Sequence, residues 1–111
     1  MQNEFDPAQV IIPHRKITHY LLSDTHPSGR FKARFFKKFG FNSDAPEVLE
    51  HALGLHAHAQ PIETIEATPF GTRYTVRGPF RTPDGRNPTI VSVWIVEEGT
   101  TAARFVTAFP G

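Results

Sequence analysis

The chain has 111 residues, 39% of them hydrophobic, and a formal net charge of +1 from twelve Lys and Arg against eleven Asp and Glu. That length suits one domain with one core and leaves no room for separate catalytic and regulatory modules. The absence of cysteine excludes a disulfide framework, thiolate zinc sites and a Cys nucleophile and fits a reducing cytoplasm, while the near-neutral balance means that a polyanion site requires local clustering of cations.

Residues 1–13 carry Pro7 and Pro13 and lack helical periodicity, so they are expected to form an extended arm that lays Val10 and Ile12 onto the body. Met1 is followed by polar residues and no apolar run approaches a bilayer's width, so neither an export signal nor a membrane span is expected. From His14 to Leu22 the apolar residues Ile17, Tyr20 and Leu21 fall at i, i+3, i+4, which predicts a short amphipathic helix. The Ser, Asp, Thr, Pro and Gly of residues 23–29 end it as a loop. A second helix is predicted from Arg30 to Phe39, with Gly40 as its left-handed C-terminal residue. Asp44 as N-cap, Pro46 in the first turn and Glu47 as a capping-box acid open a third helix that runs to about Ala57.

After Pro61 the pattern changes. Residues 62–68, 72–80, 89–96 and 104–109 are rich in β-branched and aromatic side chains, and the segments between them hold Pro69-Phe70-Gly71, Thr82-Pro83-Asp84-Gly85-Arg86 and residues 97–102. Such short connections predict an antiparallel meander. The third of these strands is apolar on both faces, with Val91, Val93 and Ile95 on one and Ile90, Trp94 and Val96 on the other, so it belongs in the middle with helices over at least one side. The expected fold is a single α+β domain: an arm (1–13), a half of three helices (14–60) and a four-stranded antiparallel sheet (61–111) on which the helices pack.

Lys32 is the most informative position for chemistry. A helical wheel places Phe31, Phe35, Phe36 and Phe39 on one arc and Arg30, Arg34, Lys37 and Lys38 on the other, and Lys32 falls inside the phenylalanine arc. An amine facing a core is costly unless it is paired, extends its head to water along the rings, or is kept because a site uses it. His26 lies just ahead of this basic helix, where an N-terminus attracts anions; its plain alternative is an exposed loop residue. His56 projects toward Val48, Leu49 and Ala52 and reads as a core histidine, and no pair of the six histidines has the spacing of a metal site. In the last strand Phe105, Thr107 and Phe109 share one face by alternation, which puts a hydroxyl between two aromatics. The glycine-containing turns match neither a phosphate loop nor a dinucleotide fingerprint, and no serine-hydrolase elbow occurs, so no cofactor is expected.

Three stretches together resemble a small bacterial family known as a domain of unknown function. They are Lys16-Ile17-Thr18-His19-Tyr20-Leu21-Leu22, then Gly29-Arg30-Phe31-Lys32-Ala33-Arg34-Phe35-Phe36 through Phe39-Gly40-Phe41, and Val93-Trp94-Ile95-Val96 with Phe105-Val106-Thr107-Ala108-Phe109-Pro110. Members of that family occur as free proteins and as C-terminal units of polymorphic toxins. Helices followed by a meander further resemble the barnase, EndoU, colicin and RelE group of metal-independent ribonucleases, which is an analogy of fold. The resemblance implies a cytoplasmic ribonuclease toxin of a toxin–antitoxin or polymorphic-toxin system, with RNA as substrate and a cognate antitoxin or immunity protein as partner. Our assignment for that chemistry is His26 as acid or base, Lys32 as phosphate cation and Thr107 as a hydroxyl on phosphate, with His19, Arg30, Arg34 and Tyr74 binding substrate. The competing reading is a non-catalytic antitoxin, immunity or adaptor protein that presents its ten phenylalanines to a partner, and a third is a ligand pocket lined by Phe, Tyr74 and Trp94.

Overall fold

The computed structural model describes residues 6–111, with side chains from residue 9 onward. Five strands form one mixed sheet in the order β1-β5-β4-β3-β2, where β1 is Asp6–Ile11, β2 Ile62–Thr68, β3 Gly71–Pro79, β4 Thr89–Val96 and β5 Ala102–Pro110. Between β1 and β2 run three helices. The first, α1, begins as an α-turn at His14–Lys16 and continues as a π-helical stretch at Ile17–Leu21, and it is followed by α2 (Gly29–Lys38) and α3 (Pro46–Ala59).

The α+β class, the three helices and the β2–β5 meander agree with the sequence pattern, and β4 takes the central place that its two apolar faces require. The arm is the correction. Residues 6–11 are a fifth strand, parallel to β5, with Val10 opposite Ala103 and Ile11 opposite Arg104; residues 1–5 of the arm lie outside the described residues. Val10 and Ile12 do pack against the core, as expected. The start of α3 also differs: Ala45, not Asp44, occupies the N-cap and no side chain caps the helix, while Asn42 Oδ1 accepts from the Asp44 and Ala45 backbone N–H groups at 2.9 and 3.1 Å in the turn before it.

One face of the sheet meets the helices. Trp94, Phe105, Ile90 and Val76 pack there against Ile17 and Leu21 of α1, Phe36 of α2, and Leu49 and Leu53 of α3. Within this core a polar chain is sealed: Trp94 Nε1–H donates to Ser92 Oγ (2.9 Å), Ser92 Oγ–H donates to His56 Nδ1 (2.8 Å), and His56 Nε2–H donates to the Gly78 carbonyl (3.1 Å). His56 is therefore the satisfied core histidine that its place on α3 predicts.

Two local features position the candidate site. Opposite the bond between Val93 and Trp94 the ladder slips, so that Trp94 faces Phe105 and Val93 faces Thr107, with Val106 left as an extra residue. Because Val93 and Trp94 point to opposite faces, Phe105 and Thr107 do so as well, and the predicted run of Phe105, Thr107 and Phe109 on one face is broken. The second feature is the close crossing of α1 and α2. The buried face of α2 is Gly29, Ala33 and Phe36, whose small residues admit α1, and this rotation leaves Phe31 57% exposed instead of in the core.

Candidate active site

Tyr20 is the hub on which the site is built. It extends from α1 beside β5, and its hydroxyl lies 3.0 Å from Thr107 Oγ1. Lys16, one helical turn earlier, holds its ammonium 5.5 Å from the Tyr20 ring centre and donates to the carbonyl of the bulged Val106 at 3.1 Å. From α2, Lys32 brings a second ammonium to 5.4 Å from the same ring. The edge of the His26 ring completes the shell at 5.0 Å between centres. An open concavity of about 600 Å³ lies against this cluster, lined by Pro13, Arg15, Lys16, His19, Tyr20 and His26, with no carboxylate among its walls.

Lys32 is half-buried, and among the described residues it has neither a hydrogen-bond acceptor nor a carboxylate partner. Its neighbour Lys37, by contrast, pairs with Asp24 at 3.0 Å. A Tyr ring face attracts an ammonium by about 0.5–1 kcal/mol at an exposed site, which compensates a lost hydration shell only in part.

The two histidines of the concavity are held differently. His26 Nδ1 accepts backbone N–H groups from Ser28 (3.1 Å) and Gly29 (2.9 Å), so its lone pair caps the start of α2 and its proton is on Nε2. The helix N-terminus predicted to attract an anion is occupied by this ring. His19 Nδ1 lies 2.8 Å from Thr18 Oγ1, which is also 3.3 Å from the His14 carbonyl oxygen, so the Thr18 hydroxyl engages one ring nitrogen of His19 and leaves Nε2 without a hydrogen-bond partner among the described residues. Among the described residues no three His, Asp or Glu side chains gather as metal ligands would.

A family model described as "Domain of unknown function (DUF6883)" matches residues 5–111. The chain belongs to the DUF6883 family. No curated protein matches it. Among solved structures the DUF6883 domain is similar to a chain of the contact-dependent growth inhibition toxin–immunity protein complex from Klebsiella pneumoniae 342, with a TM-score of 0.70 and 17% identity over 91% of this chain and 99% of that one. At that identity the likeness is one of fold.

Lys32, His26 and Thr107, which the sequence singled out, all reach Tyr20, and His19 lines the same concavity. Arg30 and Arg34 do not join them; they stack on the exposed Phe31 ring at 4.6 and 5.9 Å. Tyr74 is 3% exposed and stands opposite Trp94 on the helix side of the sheet, inside the core, so it cannot bind substrate there. Sequence reading missed Tyr20 and Lys16 as site residues. Their i, i+4 spacing in α1 put them side by side, but Tyr20 was assigned to the apolar face and its hydroxyl was left out of account.

Proposed function

We propose that this DUF6883 domain is the toxin of a toxin–immunity pair and that it cleaves RNA, without a metal, by attack of a ribose 2′-hydroxyl on the adjacent phosphate. Lys32 carries the reading. A half-buried ammonium with no anionic partner among the described residues shares the Tyr20 ring with Lys16, and Tyr20 and Lys16 line a concavity without carboxylates; this grouping is complementary to a phosphodiester and to the charge that builds on its oxygens during attack. The Tyr20 hydroxyl, paired with that of Thr107, and the His19 ring, which lines the same concavity as Tyr20, supply proton-transfer groups as well as cations. The net charge of +1 is compatible with this, because the cations that matter are gathered locally. The occurrence of the similar fold in a toxin–immunity complex supports the setting of a toxin system with a cognate protein partner; the toxin role and a cytoplasmic RNA as target belong to our reading of the site.

Induced expression of the wild type is expected to arrest growth and to produce new fragments in total RNA. Lys32→Ala should reduce cleavage by purified protein about 100-fold or more while remaining folded. Normal growth with intact RNA would transfer the assignment to a non-catalytic partner-binding protein. That second reading is favoured by the β2–β3 hairpin, which leaves Ile65 58% and Phe70 77% exposed.

A further inference from the structure

We infer that, in the RNA cleavage proposed above and resting on that reading, His19 takes the 2′-hydroxyl proton and Tyr20 protonates the leaving 5′-oxygen. Transesterification at phosphorus requires a base for the nucleophile and an acid for the leaving group. His26 is unsuited to either task, because the lone pair on its Nδ1 is engaged by two backbone N–H groups, and a second proton there would uncap α2. His19 differs: its Nδ1 contacts only the Thr18 hydroxyl, its Nε2 has no hydrogen-bond partner among the described residues, and its ring lines the concavity.

The acid must then come from the hydroxyl at the hub. A phenol is a far stronger acid than the ribose alcohol it would protonate. Two ammonium groups lie near the Tyr20 ring, Lys16 at 5.5 Å and Lys32 at 5.4 Å from its centre, so negative charge that develops on the phenol has two cations close by. Thr107 is a positioning residue, whose hydroxyl holds that of Tyr20 at 3.0 Å. In the reaction the O2′–P bond forms as His19 Nε2 accepts the 2′ proton. The P–O5′ bond breaks with its electron pair on O5′, and the Tyr20 O–H proton passes to O5′. The products are a 2′,3′-cyclic phosphate and a 5′-hydroxyl, and the imidazolium and phenolate exchange their proton through water to restore the starting state.

The test uses the full chain and an RNA whose wild-type cleavage site has been mapped, alongside the same RNA with sulfur in place of the scissile 5′-oxygen. A thiolate departs without being protonated, so the second substrate needs no acid. Tyr20→Phe, which keeps the ring between its neighbours, is expected to lose about 100-fold or more on the natural linkage and to approach the wild type on the sulfur linkage. His19→Gln should lose a similar factor on both, and Thr107→Val should show a smaller loss with the same sulfur rescue. Equal impairment of Tyr20→Phe on both substrates, or none on the natural one, overturns the role of Tyr20. Unimpaired His19→Gln overturns that of His19. A folded wild type that cleaves neither RNA removes the ribonuclease reading itself, and this assignment with it.

Discussion

Ser92→Ala is expected to cost the native state about 2–6 kcal/mol, the sum of two buried groups left without partners at roughly 1–3 kcal/mol each. Ser92 is 0% exposed and sits between Trp94, also 0%, and His56, 3%. The indole N–H can only donate and the Gly78 carbonyl can only accept, so every proton in the chain Trp94–Ser92–His56–Gly78 is assigned and the serine hydroxyl is needed at both of its ends. Alanine removes an acceptor from the indole and a donor from the imidazole. A domain of this size has a total stability of about 5–15 kcal/mol, so a large part of it would be lost, visible as a lower urea midpoint at unchanged slope. A loss below about 1 kcal/mol would mean that water enters and re-satisfies both groups. The same network makes stability depend on pH. Burial lowers the His56 pKa from its ordinary 6.5, so the native chain keeps this ring neutral where the unfolded chain already binds a proton. The contribution is fully present above about pH 6.5 and is lost as pH falls toward and through the lowered native value. Urea midpoints at pH 7.5 and 5.5 should therefore separate in the wild type and draw together in His56→Gln.

The elements read correctly from sequence are those whose local pattern and tertiary role agree. β4 is apolar on both faces and is central, and Pro46 opens a helix that buries Leu49, Leu53 and His56 on one side. The misread elements are those defined by distant partners. The segment Asp6–Ile11 has no alternation of its own and contains Pro7; it becomes a strand because β5, more than ninety positions later, offers a free edge, and an edge place tolerates the proline. Phe31 was assigned to the core because hydrophobicity set the centre of the α2 wheel. In the fold, closeness of approach sets it, and Gly29 and Ala33 define the contact with α1.

The candidate site was legible where a residue contradicted its surroundings. Lys32 among phenylalanines was such a contradiction, and it is the cation without an anion. Thr107 was found by a pattern that the bulge at Val106 overrules; the same bulge supplies the carbonyl that anchors Lys16. Tyr74 shows the limit of alternation, which separates two faces of a strand but does not say which one the helices cover. Tyr20 was hidden because a tyrosine at an apolar helix position agrees with core packing, so nothing in the pattern set its hydroxyl apart.

Two glycine-to-alanine substitutions in helices are expected to act with opposite sign, and the contrast tests the α1–α2 contact that builds the site. At Gly54, within α3, a new Cβ would approach only Val10 Cγ2 at 3.9 Å. There the gain in helix propensity should stabilise the protein by about 0.5–1 kcal/mol and leave the proposed RNA cleavage unchanged. At Gly29 the new Cβ would overlap the Tyr20 carbonyl oxygen and lie 2.8 Å from Tyr20 Cδ1. The obstacle there is backbone, and it yields only if α1 and α2 move apart, at a cost of about 1–3 kcal/mol. The activity of Gly29→Ala should fall further than its stability, since the displaced residue is Tyr20 and the Gly29 N–H also holds the His26 ring. Misplacement by about 1 Å costs roughly 100-fold in rate, so a folded Gly29→Ala chain at a temperature well below its midpoint should still cleave poorly. Full activity in that variant would separate the chemistry from Tyr20 and the two lysines over its ring.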